Sequence, residues 1–463
     1  MIVSVRKKDI YWSYAGQLTE LGTYAILTPI VTIFLKPFEV GLWYTFMSFY
    51  FFALLIDSGF SPMIMRNAAF CMAGATELTK KGLPQTVKNS NPNYALLKCL
   101  FIVNRRLLTG VASGIFLLLL AGGLPYIAYI TRSNFHLTYL IAWIVFALAI
   151  SLNLNLFSFL AFLKGFGAIA EAQQAITIGR SLQFLACICG VLLNKGILSL
   201  AVGYLIGAFT IGIIIWIRFH RIVSPLLPLN STISQKDVLI AIWCNSWRLI
   251  LVGLGGYLIT QANTLLCSAF LGLEITAGYG LTIQGFQAVG ILASVLLQTL
   301  LPAISRARTE NNLNSQIELL SISIVFFWIV EIIGSLAVLF FANPVLHKLG
   351  SSTFVLEPPI GLVLGIIYLL ERNHYLFYNF ITTSNNVPFL KASFISGIII
   401  CIVTIATVVG LRLGLWGLVL PQALIQLAYN NWKWPVYVNR ELGCNFWSML
   451  KTGVKVIGKK LNF

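Results

Sequence analysis

Charge is what this sequence has least of. Only 10% of its 463 residues are Asp, Glu, Lys or Arg, against about 25% in an ordinary soluble chain, so a soluble globule is excluded. Acid is scarcer still, with 14 Asp and Glu against 31 Lys and Arg. Four His and eight Cys are spread along the chain, and the one close pair, Cys187 and Cys189, has no second pair or His to complete a metal site. The cysteines are therefore read as packing residues and no cofactor is predicted. A Gly-rich phosphate loop, H-E-x-x-H and G-x-S-x-G are all missing, which removes the commonest nucleotide-binding and hydrolytic centres.

What the sequence has is apolar length. Hydrophobic residues make up 58% of it, and a bilayer-crossing helix needs about 20 of them in a row. Runs bounded by Gly, Pro and charge predict twelve spans, at 14–35, 40–62, 107–130, 138–162, 175–193, 198–217, 246–269, 279–301, 320–341, 359–381, 392–410 and 415–436. The fold class is thus an all-α polytopic membrane protein. The first run follows Arg6, Lys7 and Lys8, is too long for a signal h-region and carries Glu20, so it is read as a retained span.

The net charge of +17 then resolves into orientation. With twelve spans both termini share a side, and the loops and tails of that side, with Lys433 at the end of span 12 counted among them, hold 23 of the Lys and Arg, the opposite loops five. The positive-inside rule makes the richer side, and both termini, cytoplasmic. A nucleic-acid partner is not predicted. Loop 63–106 is the longest, and its polar middle, Thr79 to Asn93, suggests short surface helices. After Trp434 the tail carries Lys451, Lys455, Lys459 and Lys460, with Val454, Ile457 and Leu461 at helical spacing. That pattern suggests an amphipathic helix on anionic membrane lipid, or else a solvated basic tail.

A weak internal repeat relates Phe34–Arg66 to Phe270–Arg306. Each runs from Phe-Leu through an acid (Glu39, Glu274) and a glycine beside an aromatic residue (Gly41, Gly278) to Pro-x-x-x-Arg (Pro62 to Arg66, Pro302 to Arg306). It equates spans 1–2 with spans 7–8, and so predicts two six-helix bundles of like orientation around a central cavity. The expected domains are an N-terminal bundle at 1–217, a cytoplasmic linker at 218–245, a C-terminal bundle at 246–436 and a basic cytoplasmic tail at 437–463.

Three stretches carry a family resemblance. Val40-Gly41-Leu42-Trp43-Tyr44-Thr45-Phe46 leads to Leu55-Ile56-Asp57-Ser58-Gly59-Phe60-Ser61, Arg66 and Ala73-Gly74-Ala75. The others are Leu163-Lys164-Gly165-Phe166-Gly167, and Phe270-Leu271-Gly272 through Gly278-Tyr279 to Leu301-Pro302. Together they resemble O-antigen flippases of the Wzx type, among the multidrug/oligosaccharidyl-lipid/polysaccharide exporters. The resemblance implies transfer of an undecaprenyl-pyrophosphate-linked glycan between the leaflets of a bacterial inner membrane, with a polysaccharide polymerase complex as a further partner.

Charged and polar residues inside spans nominate the site. A charge at mid-bilayer costs about 2.5–3.5 kcal/mol on insertion scales and so should face the protein interior or water. Polar stripes run along span 1 (Tyr14, Gln17, Glu20, Tyr24), span 8 (Gln284, Gln287, Ser294, Gln298), span 10 (Tyr368, Glu371, Tyr375, Tyr378, flanked by Arg372 and His374) and span 12 (Gln422, Gln426, Tyr429, Lys433). They suggest a large polar cavity. Arg372, deep in span 10, is the leading pyrophosphate ligand because Arg stays charged when buried and binds phosphate through two parallel hydrogen bonds. The structural alternative is an ion pair with Glu20, Glu331 or Asp57. Arg180 and Arg248, each about a turn inside its span, suit headgroup guidance or snorkelling to the interface. Gln284, Gln287 and Lys433 are candidate polar contacts, and Tyr375 and Tyr378 are candidates for stacking on sugars or for helix packing. Glu20, Glu371, Asp57 and Glu331 are the carboxyls able to couple transport to an ion gradient; Glu20 and Glu371, on the polar stripes, are the first choice, and Asp57 is alternatively a cap or a partner of Arg66.

Two other readings compete. A drug or organic-cation antiporter of the same superfamily calls for net negative charge inside the spans, whereas here the charges are mixed. An O-antigen polymerase or other enzyme on the lipid carrier calls for a sizeable loop opposite the termini, and the longest there is 343–357.

Overall fold

A computed structural model describes residues 7–79, 91–228, 233–384 and 387–461. Among these residues there are helices and turns and no strand. In hydrocarbon only a helix or a closed barrel satisfies every backbone group internally, and the uninterrupted apolar runs select the helix.

In chain order the helices are α1 (Lys7–Phe34), α2 (Pro37–Met72), α3 (Tyr94–Leu118), α4 (Leu124–Ile130), α5 (Leu137–Phe166), α6 (Ile169–Leu192), α7 (Ile197–Ile222) and α8 (Gln235–Thr260). There follow α9 (Ala262–Phe270), α10 (Leu273–Thr309), α11 (Leu313–Lys348), α12 (Ile360–Thr382), α13 (Leu390–Ile405), α14 (Leu415–Ala428), α15 (Asn430–Leu442) and α16 (Phe446–Leu461). Every predicted span falls on one of them or on a consecutive pair: α3 with α4, α8 with α9, α14 with α15. Helix ends run well past the predicted ones, because charged residues beyond the apolar stretch continue the helix into the interface. At 1.5 Å per residue α10, with 37 residues, is about 55 Å long against about 30 Å of hydrocarbon.

Nine helices or helix pairs among the described residues are long and apolar enough to cross a membrane on length and composition. Helix α12, with Glu371, Arg372 and His374 in its middle, is not one of them, and it crosses by turning those residues inward. Large apolar side chains such as Leu118, Phe341 and Leu424 point outward, as lipid-facing surfaces require.

The chain divides into two compact units, Met1–Leu254 and Gly255–Phe463, and the division falls inside α8. In the first, α2 packs on α5 and α5 on α7. The resemblance motifs owe their glycines to close approach and turning. Gly165 of α5 leaves no room for a methyl group, since a Cβ there would lie 2.3 Å from the Met65 carbonyl oxygen. Gly167 ends α5 at a left-handed φ of 97°. Asn93 anchors the far end of the loop after α2: its Nδ2 donates to the Ala75 carbonyl, and its side chain caps α3 by accepting from Leu96 N. The rest of the predicted surface segment, from residue 80 to 90, lies outside the described residues. The first part of α8 belongs here too, where a Cβ on Gly59 of α2 would meet Ile250 at 2.4 Å.

In the second unit α10 packs on α11, α12 on α15 and α11 on α16. Helix α16 forms where the helical spacing of the tail suggests one, and its buried face packs on protein. Its Met449 and Gly453 are buried, and a Cβ on Gly453 would come 2.4 Å from the Ser321 carbonyl oxygen of α11. Val454, read from spacing as part of the apolar stripe, is exposed, as are Lys451 and Lys455. The helix docks on protein with a glycine at a close approach, and a glycine carries no weight in hydrophobic patterning.

Replacing Gly165 by Val should force α5 off the Met65 carbonyl and lower stability by about 1–3 kcal/mol. Gly110→Val is the control, with nothing within 4 Å of its Cβ. Thermal melts of the detergent-purified variants should show a clear drop for the first and little change for the second.

Candidate functional site

The second unit holds a chain of buried amides and one buried carboxylate. Gln422 of α14 donates through Nε2 to Glu371 Oε1 of α12 at 2.7 Å, and accepts from Asn263 Nδ2 of α9 at 3.1 Å. One turn on, Gln426 accepts from Asn430 Nδ2 at 2.7 Å, which also reaches Ser396 Oγ of α13 at 3.0 Å. Trp434 Nε1 donates to Asn430 Oδ1, and His374 meets Asn431 at 2.9 Å. The helix break at Tyr429 (φ −143°) separates α14 from α15 inside predicted span 12 and brings Asn430 and Asn431 into this chain. Glu371, Gln422, Gln426, Asn430 and Tyr368 are all at most 6% exposed.

The polar stripes of spans 10 and 12 therefore bond each other in the unit's interior, where the sequence suggests a watered cavity. Tyr378 is likewise taken up in packing. Its ring lies 3.8 Å from that of Phe389 at 6°, Trp434 packs edge-on, and its hydroxyl faces Ser393. Covered in this way it has no open face for a sugar, whereas Tyr375 is exposed.

Arg372 sits differently. It occupies the middle of the 23-residue α12, and among the described residues nothing hydrogen-bonds its guanidinium. The side chain lies against α10 at Gly290, where a Cβ would be 2.9 Å from Nε. Glu371 and Glu331 of α11 act on it electrostatically, and Gln287 of α10 faces neighbouring Tyr368. Glu331 is 0% exposed, and neither of its oxygens has a hydrogen-bond partner. Among the ion-pair partners predicted for Arg372, Glu331 belongs to the same unit and lies nearby, without a salt bridge. The Glu20 side chain lies outside the described residues. Gly290 is absent from the polar pattern because a glycine that makes room leaves no polar or apolar mark.

In the first unit Arg180 corrects its predicted depth. Helix α6 begins at Ile169, ahead of the predicted 175, so Arg180 lies about 16 Å along the helix, near its midpoint. It donates to Gln183 Oε1 at 2.7 Å and to the Tyr50 hydroxyl at 2.9 Å. Tyr50 in turn packs on Tyr204, beside Trp43 and Phe146. Asp57 accepts from Ser61 and faces Lys164 of α5, while Arg66, its other predicted partner, turns to Met63 and Phe70. Arg248 is exposed, its guanidinium over Trp247. Gln284 is half-buried on α10.

The chain has relatives among known proteins. It matches the polysaccharide biosynthesis protein family over residues 7–308. No curated protein matches its sequence. Among solved structures it is similar to an inward-facing multidrug resistance MATE family transporter of the MOP superfamily (14% identity, 96% of this chain and 100% of that one, TM-score 0.63). It is also similar to the MATE multidrug transporter DinF-BH in complex with R6G (13%, 95% and 96%, 0.60) and to the lipid II flippase MurJ in an inward closed conformation (13%, 96% and 90%, 0.59). These likenesses agree on the fold: a multi-pass membrane protein of twelve transmembrane helices in two bundles.

Gln422→Leu should strand the Glu371 carboxylate and cost about 1–3 kcal/mol. Glu371→Gln keeps an amide-to-amide hydrogen bond and should melt close to the parent protein. Thermal midpoints of the two purified variants, measured side by side, check this order.

Proposed function

Because the chain belongs to the polysaccharide biosynthesis protein family, we propose that it is a flippase for an undecaprenyl-pyrophosphate-linked oligosaccharide. It carries its substrate from the cytoplasmic to the periplasmic leaflet of a bacterial inner membrane, with both termini cytoplasmic, and works as a transporter without covalent chemistry. The observation that carries this reading is Arg372, a mid-helix guanidinium with no hydrogen-bond partner among the described residues. A pyrophosphate entering low dielectric needs cations to replace its water, and an unbonded guanidinium supplies two parallel donors. Lipid II flippase MurJ, of similar fold, lends the lipid-linked substrate class its support. The drug-antiporter alternative draws on equally good fold matches, but it leaves the guanidinium of Arg372, which has no hydrogen bond among the described residues, without a role.

Energy coupling follows from charge balance. Buried Glu331, with both oxygens unpartnered, is offset at rest by the nearby Arg372. When pyrophosphate engages the guanidinium, the carboxylate needs another cation, and a proton or sodium ion supplies it. Each charge crossing the membrane contributes about 2.3 kcal/mol per 100 mV. Glu371, held by Gln422, orients the same region of α12.

Deletion of the gene should leave lipid-linked repeat units facing the cytoplasm and remove surface polysaccharide. Single repeats reaching the surface without polymer would instead mark a polymerase. Arg372→Ala should fail to complement at normal expression, and a fully active Arg372→Ala protein would sink the site assignment. Glu331→Gln should still bind substrate but lose its response to an imposed ion gradient in proteoliposomes; transport unaffected by collapsing that gradient in the parent protein removes the coupling.

A further inference from the structure

Helix α15 carries a surface groove of about 440 Å³ lined by Trp432, Lys433, Val436, Tyr437, Arg440 and Glu441. A second cavity of about 560 Å³ adjoins it at the α15–α16 elbow and shares Val436 and Arg440. Three features of the groove point to one ligand chemistry.

The first is charge. Glu441, the groove's one acid, is taken by Arg308 of α10, which also donates to Thr383 Oγ1 and the Phe380 carbonyl. Lys433 and Arg440 have no carboxylate partner among the described residues, so the groove is left with two uncompensated cations. The second is spacing. Lys433 and Arg440 are two helical turns apart, about 10 Å along the axis, a gap that two long flexible side chains close from opposite ends. The third is aromatic surface: Trp432 and Tyr437 expose 49% and 37% of their area beside these cations, and Val436 lies between them in sequence. Cation, aromatic face, cation is the arrangement for a diphosphate joined to a sugar, with phosphate oxygens taking charge-assisted hydrogen bonds and a ring stacking on the apolar sugar face.

We propose that the α15 groove is a reception site for the diphosphate–sugar headgroup, separate from Arg372, which lies mid-helix in α12. This deepens the flippase reading and rests on it: substrate is first held at the end of the bundle where α16 leaves, then passed to the mid-helix arginine. The same headgroup chemistry is offered by a lipid-linked diphosphate and by a soluble one, and the two are separable by experiment.

The test is equilibrium binding to the detergent-purified full-length protein, with undecaprenyl diphosphate in micelles and inorganic pyrophosphate as probes. The Lys433→Gln/Arg440→Gln variant changes an exposed Arg440 and a half-buried Lys433 that gives up only its place over the Tyr429 ring, and it should melt close to the parent. It should bind both probes at least about ten-fold more weakly, since a hydrogen bond to a charged group is worth that much or more, while Arg372→Ala keeps this binding. Weakening toward pyrophosphate alone supports the diphosphate site and assigns it a soluble source. Unchanged affinity for both probes overturns the proposal, as does equal competition by phosphatidylglycerol at the same mole fraction, which marks mere charge attraction. Loss of all binding in Arg372→Ala, with the double variant normal, overturns this site and leaves the flippase reading standing. A deletion strain with no lipid-linked accumulation removes that reading without touching the binding result.

Discussion

The hydrogen bond from Gln422 to Glu371 is the constraint from which the second unit is organised. Helix α12 is too polar in its middle to face lipid, and a carboxylate there must be met by donors from neighbouring helices. Meeting it fixes the rotation of α14 and the position of Asn263 on α9. The break at Tyr429 then carries the same polar face onward through Asn430 to α13 and Trp434. Arg372, next in sequence to Glu371, points about 100° around the helix and stays outside this closed circuit. One helix thus has a polar side hydrogen-bonded to its neighbours, which holds the bundle together, and a guanidinium without a hydrogen bond among the described residues, which is available to a ligand.

The first unit follows a different logic. Its mid-helix arginine, Arg180, is already bonded to Tyr50 and Gln183 and stands on a packed aromatic cluster. The two units therefore hold arginines at similar helical depth in opposite conditions, one committed to protein and one not. Glycines set the distances in both. Gly165 and Gly59 let helices touch in the first unit, and Gly290 and Gly453 make room for a guanidinium and for the terminal helix in the second.

Much of the fold was legible in the sequence because apolar runs bounded by charge are a direct consequence of bilayer thickness, and each run corresponds to a helix. Depth was less legible. Arg180 looks shallow when span 5 starts at 175, since Ile169 to Gln174 is polar enough to pass for loop, yet it is helix. The polar stripes were legible as stripes, but spacing on one helix cannot say whether a stripe meets water or another stripe. For α12 and α14 it meets another. The docking face of the tail was hidden for a related reason: patterning weighs side chains, and α16 comes close to α11 at Gly453, which has none.

The position of the division between units bears on how the molecule can be taken apart. The stretch between α7 and α8, with its two prolines, invites the view that each half is a self-contained module. Yet α8 up to Leu254 belongs with the first unit, where Ile250 fills the space that Gly59 leaves open. Two polypeptides made by cutting in that stretch would each be wrong at the same place. The first would expose a glycine-lined trough on α2, and the second would carry an orphan half-helix with its matching ridge. Any gene fission, circular permutation or half-by-half expression has to respect a boundary that lies inside a helix and follows no loop.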